Sequence, residues 1–266
     1  MIETIYIARH GFRLNWITNT WQLQNKTGLP RDPPLAAFGE EQAKELAAFF
    51  ASLPEDQRPT LIFSSPYYRC LQTSAPSASE LAIPLFVEHG LSEWYSPVTP
   101  GTGLHPRPGS ASSLTQYFPV IDASWTSLYM PSRLGEDVQE VHTRADGFLA
   151  AFIPAVECAY PEHKRILLVS HAATVIVLAR SLLAQRNLPL RVGCCSLTEV
   201  VRKPDGVGWE AKKLADGAHL EKGSTRDWGF EDIEIANGKV VEDPGVPGTE
   251  HQEDGPNGLQ IPHANL

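Results

Sequence analysis

The chain has 266 residues and a formal net charge of −9, with 42% hydrophobic, 9% aromatic and 20% charged residues. This composition is typical of a globular protein with a sizeable core and excludes a wholly disordered chain. The negative charge argues against direct nucleic-acid binding or attachment to an anionic membrane. The sequence has no apolar stretch of about 18 residues, so no membrane-spanning helix is expected.

Strand and helix signals alternate along the sequence. In chain order they predict strand 4–8, helix 38–53, strand 60–63, helix 67–81, strand 85–88, helix 135–160, strand 165–169, helix 172–186 and a hairpin of strands 196–203 and 209–214. Pro76 is expected to kink or interrupt the second helix. This alternation predicts a three-layer α/β/α fold around a mostly parallel sheet.

Two segments lie outside this alternation. Residues 97–134 mix Pro, Gly and Ser with aromatic residues, and a connection of this length is typical of a lid or a binding loop. Residues 225–266 hold nine acidic and two basic residues, which accounts for −7 of the net charge. Their content of Pro, Gly and acids predicts an extended tail that does not fold on its own. We therefore predict a domain over 1–224, with a lid insertion at about 97–134, and an acidic tail over 225–266.

The four cysteines of the chain fit no zinc-binding pattern. Adjacent Cys194 and Cys195 are not expected to bridge each other, so the cysteines are interpreted as reduced thiols. This usage is typical of an intracellular protein, either cytoplasmic or nuclear.

The residues that follow the predicted strands indicate a single site. In parallel α/β sheets, ligands bind at the carboxyl ends of the strands. The charged and titratable residues expected at that edge are, in chain order, Arg9, His10, Arg13, Arg69, Glu93 and His171. Arginines gathered at one point repel each other unless a multiply charged anion lies between them, and the guanidinium group matches phosphate. The sequence therefore predicts a phosphate site.

Two histidines and a carboxyl group at such a site predict phosphoryl transfer. A neutral imidazole attacks phosphorus and becomes a phosphohistidine, while a second, protonated imidazole stabilises the oxygens of the transferring group. The carboxylic acid protonates the leaving alkoxide and, as a carboxylate, activates the water that cleaves the intermediate. Because arginines neutralise the phosphate charge, no metal and no cofactor are expected.

Four motifs in this order resemble the histidine phosphatase superfamily, whose fold is phosphoglycerate-mutase-like. They are Arg9-His10-Gly11, the helix start LAAFGEEQA over 35–43, the segment SSPYYRCLQT over 64–73, and Ser170-His171. The resemblance covers roughly residues 4–200.

The resemblance also implies roles for the candidate site residues. It implies that His10 is the nucleophile, that His171 binds phosphate and stabilises the transition state, and that Glu93 is the general acid and base. It further implies that Arg9 and Arg69 bind phosphate.

The residues after Gly11 indicate a branch of that superfamily. Mutases have Ser or Thr where this chain has Arg13, and their Asn comes one residue later than Asn15. Arg13 and the pair Glu93-Trp94 resemble the tyrosine-phosphatase-like branch. Residues 9–16, RHGFRLNW, taken together with the segment over 64–73, resemble a fungal group of phosphatase domains. This group includes the domains of TFIIIC tau subunits and stand-alone relatives. This resemblance places Arg13 in the phosphate site, with Asn15 as either a phosphate ligand or a turn cap.

Three functions are compatible with these observations. The first is a metal-independent phosphomonoester hydrolase acting on a small molecule or a protein, and the aromatic residues of 97–134 favour an organic or aromatic leaving group. The second is a transcription-factor subunit that uses the phosphatase fold as a scaffold and its acidic tail to bind a protein partner. The third is a mutase, which the residues after Gly11 disfavour. Glu88, Glu136 and Asp137 are alternatives to Glu93 as proton donor.

Overall fold

A computed structural model describes residues 1–236 and 239–260 of the chain. The helices are α1 (Ala37–Ser52), α2 (Tyr68–Leu81), α3 (Ala111–Leu114), α4 (Val138–Ala159) and α5 (Ala172–Leu182). The strands of the main sheet are β1 (Thr4–Arg9), β2 (Leu61–Ser64), β3 (Leu85–Val87), β5 (Arg165–Ser170), β6 (Leu197–Arg202) and β7 (Trp209–Asp216). Four two-residue strands lie outside it: β4 (Tyr129–Met130), β8 (Ile235–Ala236), β9 (Lys239–Val240) and β10 (Gly258–Leu259).

The six main strands form one sheet in the order β3-β2-β5-β1-β6-β7. The first four are mutually parallel, whereas β6 runs antiparallel to β1 and β7 antiparallel to β6. Arg9 pairs with Ser170 in register, so the residues that follow β1 and β5 leave the sheet side by side. The predicted α/β class with a mostly parallel sheet is confirmed.

Alternation along the strands places helices on both faces of the sheet. Ile5 and Ile7 of β1 are fully buried in a cluster with α4 and α5, while Tyr6 and Ala8 are buried in a second cluster with α1 and α2. Because successive strand side chains point to opposite faces, β1 contributes to both cores. None of the helices in the described ranges is long and apolar enough to cross a membrane.

Helix α2 is not interrupted at Pro76. The helix continues from Tyr68 to Leu81 with Pro76 inside it. Its residues Cys70, Leu71 and Ala78 are buried against the sheet, and this packing holds the helix on both sides of the proline.

Residues 97–134, predicted as a lid, cover the edge of the sheet. Ile121 bridges to Leu85 of the edge strand β3, and the Asp122 amide donates to the Leu85 carbonyl at 2.9 Å. Phe118 and Trp125 are only 9% exposed, because they pack into the two cores. An uncovered strand edge leaves backbone groups unpaired, and this segment satisfies them.

The segment predicted as an extended acidic tail pairs with the domain at several places in its described part. Trp228 pairs with Val192, Val246 pairs with Leu104, and β10 pairs with β4. The surface of the domain supplies partners for the backbone of this segment. The difference from the prediction therefore arises from contacts that are distant in sequence.

Candidate active site

His10 follows β1 directly and is 1% exposed. Its Nδ1 lies 2.8 Å from the carbonyl oxygen of Gly11, and a carbonyl only accepts, so Nδ1 carries the proton. This tautomer leaves the lone pair on Nε2 available for attack on an electrophile. A Cβ added at Gly11 would lie 2.6 Å from the Gly39 carbonyl oxygen, so the close approach of this loop to α1 requires glycine.

His171 follows β5 and is fully buried beside His10. The two ring centroids are 5.4 Å apart, as expected from adjacent parallel strands. His171 Nε2 lies 2.8 Å from the hydroxyl oxygen of Ser65, and its Nδ1 lies 3.3 Å from Glu93 Oε2. Both ring nitrogens are therefore fixed by neighbours.

Arg69, in the first turn of α2, links the acidic and imidazole groups of the site. Its Nη2 lies 3.1 Å from His171 Nδ1 and 3.2 Å from Glu93 Oε2. Its Nη1 donates to Asp32 at 2.9 Å, and the Tyr68 amide donates to the same carboxylate at 2.8 Å. Asp32 is 1% exposed and anchors Arg69. Sequence reasoning missed Asp32, because an aspartate in an irregular loop has no local pattern to distinguish it.

The other arginines and Asn15 surround the same point. Arg9 Nη1 donates to the backbone carbonyls of Val192 and Arg226, and the Arg13 guanidinium lies 4.3 Å from the centroid of the Trp16 ring. Oδ1 of Asn15 is buried and has no hydrogen-bond partner within residues 1–236 and 239–260. All seven residues predicted for the site thus lie around one point at the carboxyl edge of the sheet.

Three alternative acids have other partners. Glu88 accepts hydrogen bonds from the backbone amides of Gly90 and Leu128 and from the Trp125 indole, all at 2.9 Å. Glu136 forms a 2.8 Å ion pair with Arg144. The third alternative, Asp137, caps the start of α4. These contacts favour Glu93 as the acid of the site.

Charge and burial set the protonation of the central groups. Burial, reinforced by the arginines, holds the pKa of His10 well below 6.5, so its imidazole is neutral at physiological pH. Burial also lowers the pKa of His171 to about 4, against the opposing effect of Glu93. For Glu93, burial opposes ionisation, but His171, Arg69 and Arg13 together lower its pKa below the ordinary value.

Three groups in this cluster have the geometry of metal ligands. Ligand atoms of His10, Glu93 and His171 lie within 4.8 Å of one another. The guanidinium groups of Arg9, Arg13 and Arg69 border the same space, and their positive charge disfavours a cation there. The arrangement therefore suits a multiply charged oxyanion.

Three cavities border the site. The first, of about 250 Å³, is called the aromatic pocket and is lined by Arg9, Arg13, Glu93, Trp94, Tyr95, Ala172, Ala173 and Trp228. The second, of about 330 Å³, is called the polar pocket and is lined by Arg13, Asn15, Trp21, Arg31, Pro33, Arg69, Glu93, Tyr95 and Asp243. Neither lining includes a described residue of 97–134, whereas each includes one from the C-terminal segment. A third and much narrower cavity, of about 20 Å³, holds Glu93 and Tyr95 beside seven residues of 97–134, which are His105, Pro106, Arg107, Pro108, Pro131, Ser132 and Arg133. Residues 97–134 therefore border Glu93 through this narrow cavity, and the C-terminal segment contributes to the two wider pockets.

The chain matches the family model "Histidine phosphatase superfamily (branch 1)" over residues 5–217. It is 41% identical over 215 residues to the transcription factor tau 55 kDa subunit of Saccharomyces cerevisiae, and the match covers 76% of this chain and 48% of that protein. The chain thus spans about half the length of this curated relative.

Solved structures show the same fold. An ecdysone phosphate phosphatase from Bombix mori, in complex with tungstate, is 18% identical with a TM-score of 0.60, and the match covers 80% of this chain and 93% of that one. A mycobacterial glucosyl-3-phosphoglycerate phosphatase is 18% identical with a TM-score of 0.51, covering 80% and 98%. At this level of identity the likeness establishes the fold alone.

Proposed function

The chain belongs to the histidine phosphatase superfamily, and from this premise we propose that it is a metal-independent phosphomonoester hydrolase acting through a phosphohistidine on His10. The observation that supports this most strongly is the buried, neutral His10, whose Nδ1 donates to the Gly11 carbonyl and whose Nε2 is left as a nucleophile among arginines. A neutral imidazole in a cationic site attacks a phosphate dianion without charge repulsion.

In the first proposed step, Nε2 of His10 attacks phosphorus in line with the ester oxygen. The Nε2–P bond forms, the P–O ester bond breaks, and Glu93 gives its proton to the leaving oxygen. Arg9, Arg13 and Arg69 hold the phosphoryl oxygens. Glu93 is ionised in the free protein, and the bound dianion offsets the guanidinium charge and raises the pKa of its carboxyl group.

In the second proposed step, water attacks the phosphohistidine. Glu93, now a carboxylate, takes a proton from the water as the new P–O bond forms. The N–P bond breaks, and its electron pair returns to Nε2 of His10. The negative charge of the phosphoryl group raises the pKa of His171, which favours the imidazolium form that stabilises the transition state. In both steps, side chains of the protein neutralise the negative charge of the phosphoryl group.

The first test is turnover of p-nitrophenyl phosphate between pH 4 and 8, with and without EDTA. We expect turnover that survives EDTA and is lost in His10→Ala. The matched control is His163→Ala, which removes a histidine near the opposite, amino-terminal end of β5. Loss of turnover in EDTA, or retention in His10→Ala, contradicts the proposal.

A second function is favoured by the 41% identity to a transcription factor tau subunit from yeast. In this proposal the chain is a subunit of a TFIIIC-like assembly in the nucleus, and its acidic C-terminal segment contacts a protein partner. The test is a pull-down with the full chain and with a chain ending at residue 224. Partner capture by the full chain alone supports this function, and equal capture by both chains contradicts the role of the segment. The two functions are compatible with each other.

A further inference from the structure

The stretch of residues 225–232, which we call the docking stretch, lies beyond the part of the chain that matches the family model. The Cys194 amide donates to the Thr225 carbonyl at 2.8 Å, and Val192 and Trp228 exchange two backbone hydrogen bonds at 3.0 and 3.2 Å. Arg191 forms ion pairs with the stretch at 2.6–2.8 Å, through Asp227, Glu231 and Asp232. These contacts fix the docking stretch beside the residues that follow β1.

Within the docking stretch, Arg226 has a left-handed backbone conformation with φ of +54°. In this conformation its carbonyl oxygen lies 2.5 Å from Nη1 of Arg9. The same nitrogen donates to the Val192 carbonyl at 2.7 Å. A single guanidinium nitrogen is therefore held by two carbonyls from two separate segments.

This anchoring leaves the other edge of Arg9 unpaired. Arg9 is 5% exposed, and neither its Nε nor its Nη2 has a hydrogen bond to a residue in the described ranges, with Nε fully buried. The Nε and Nη2 groups form one planar edge, which matches two oxygens of a phosphate. An unpaired buried donor is costly unless a ligand satisfies it, so this edge fits a bound phosphate group.

We propose that the Arg226 carbonyl is a positioning group for phosphate recognition, which turns the Nε/Nη2 edge of Arg9 toward the ligand. Arg226 acts through Arg9 and its own side chain is not required. The inference rests on the proposed function only in taking phosphate as the ligand. It extends the phosphate site past the family domain into the C-terminal segment.

The left-handed φ of Arg226 gives a matched pair of variants. Arg226→Gly keeps the conformation, because glycine adopts positive φ without steric cost. Arg226→Pro fixes φ near −65° and turns the carbonyl away. Both variants remove the guanidinium, which lies over the Trp16 ring at 5.5 Å, so any difference between them reports the backbone.

The experiment measures inorganic phosphate binding by calorimetry, together with kcat and KM for p-nitrophenyl phosphate and the thermal midpoint. We expect Arg226→Pro to weaken phosphate binding about 10-fold to 100-fold, the range of one hydrogen bond to a charged group, and to raise KM by a similar factor. Arg226→Gly is expected to bind phosphate within about threefold of the parent chain, since it retains the carbonyl position. In an Arg9→Met background, Arg226→Pro should cause no further loss.

Two results would overturn the inference. One is parental phosphate affinity in a folded Arg226→Pro variant, and the other is an equal loss in both variants, which would assign the effect to the side chain. If the proline variant does not fold, Arg226→Val replaces it, because a β-branched residue strongly disfavours positive φ. A parent chain that binds phosphate but never turns over p-nitrophenyl phosphate contradicts the hydrolase proposal and leaves this inference standing.

Discussion

Glu93→Gln separates the two proton transfers assigned to this residue. The substitution keeps the size of the side chain and removes its charge and its proton. General acid–base catalysis contributes about 10²- to 10⁴-fold, so hydrolysis of an aliphatic ester such as glycerol phosphate should fall by that factor. p-Nitrophenolate leaves without a proton, so formation of the phosphohistidine from its ester should fall much less. Cleavage of that intermediate still requires Glu93 as base, so we expect a burst of p-nitrophenolate near one equivalent per site.

The same substitution should tighten phosphate binding. Glu93 Oε2 lies 3.2 Å from Arg69 Nη2 and 3.3 Å from His171 Nδ1. Two unit charges about 4 Å apart interact by about 4 kcal/mol at an effective dielectric constant near 20. Without the Glu93 carboxylate, the positive charge of Arg69 is offset less, so Arg69 attracts a bound phosphate more strongly. If about a third of this interaction energy is gained by the bound phosphate, the affinity for phosphate rises about tenfold.

Stopped-flow measurement of the burst and calorimetry with inorganic phosphate test these expectations. The control is Glu136→Gln, a buried acid paired with Arg144 outside both pockets, which should show neither a burst nor a change in phosphate affinity. The reasoning is refuted if Glu93→Gln weakens phosphate binding, or if both esters slow equally without a burst.

Three further predictions concern stability and binding. Asp32→Asn removes the nearer of the two carboxylates that pair with the buried Arg69. This change should lower the free energy of unfolding by about 3 kcal/mol, seen in urea titrations, and weaken phosphate binding. An unchanged urea midpoint would contradict this. The pKa values of His10 and His171 are lower in the folded chain than the ordinary 6.5, so the folded state binds fewer protons below pH 6.5. The free energy of unfolding should therefore be highest above pH 6.5 and fall as the pH drops toward 4, and a urea midpoint that is constant from pH 7.5 to 5 would oppose it. Arg13→Met should weaken inorganic phosphate binding about 10-fold to 100-fold by calorimetry, since a charge-assisted contact is lost, and parental affinity would exclude Arg13 from the site.

The sequence predicts the central part of the site because that part depends on strand ends. β1 and β5 are short apolar runs that each end directly before a histidine, and parallel pairing alone brings His10 and His171 together. The ordered motifs add Arg69 and Glu93. For the same reason the α/β class and most element positions are predicted from hydrophobic periodicity.

The outer parts of the site depend on long-range contacts and are missed. The docking stretch is acidic, and its contacts with Arg9, Arg191, Val192 and Cys194, all distant in sequence, hold it in place. Asp243 reaches the polar pocket through a 2.6 Å ion pair with Arg31, which lies more than two hundred residues earlier in the chain. Local composition carries no information about such partners, so the sequence predicts a lid from residues 97–134 but not the contributions of Trp228 and Asp243 to the two wider pockets.

The hydrogen bonds from Arg9 to the carbonyls of Val192 and Arg226 link phosphate binding to docking of the C-terminal segment. If docking of residues 225–232 strengthens phosphate binding by some factor, phosphate must strengthen docking by the same factor, since coupling free energy is reciprocal. A protein that draws this stretch away from the domain would then compete with phosphate without entering either pocket. Conversely, a phosphorylated substrate would weaken the binding of the stretch to such a partner. Occupancy of the phosphate site and availability of the C-terminal segment would thus report on each other.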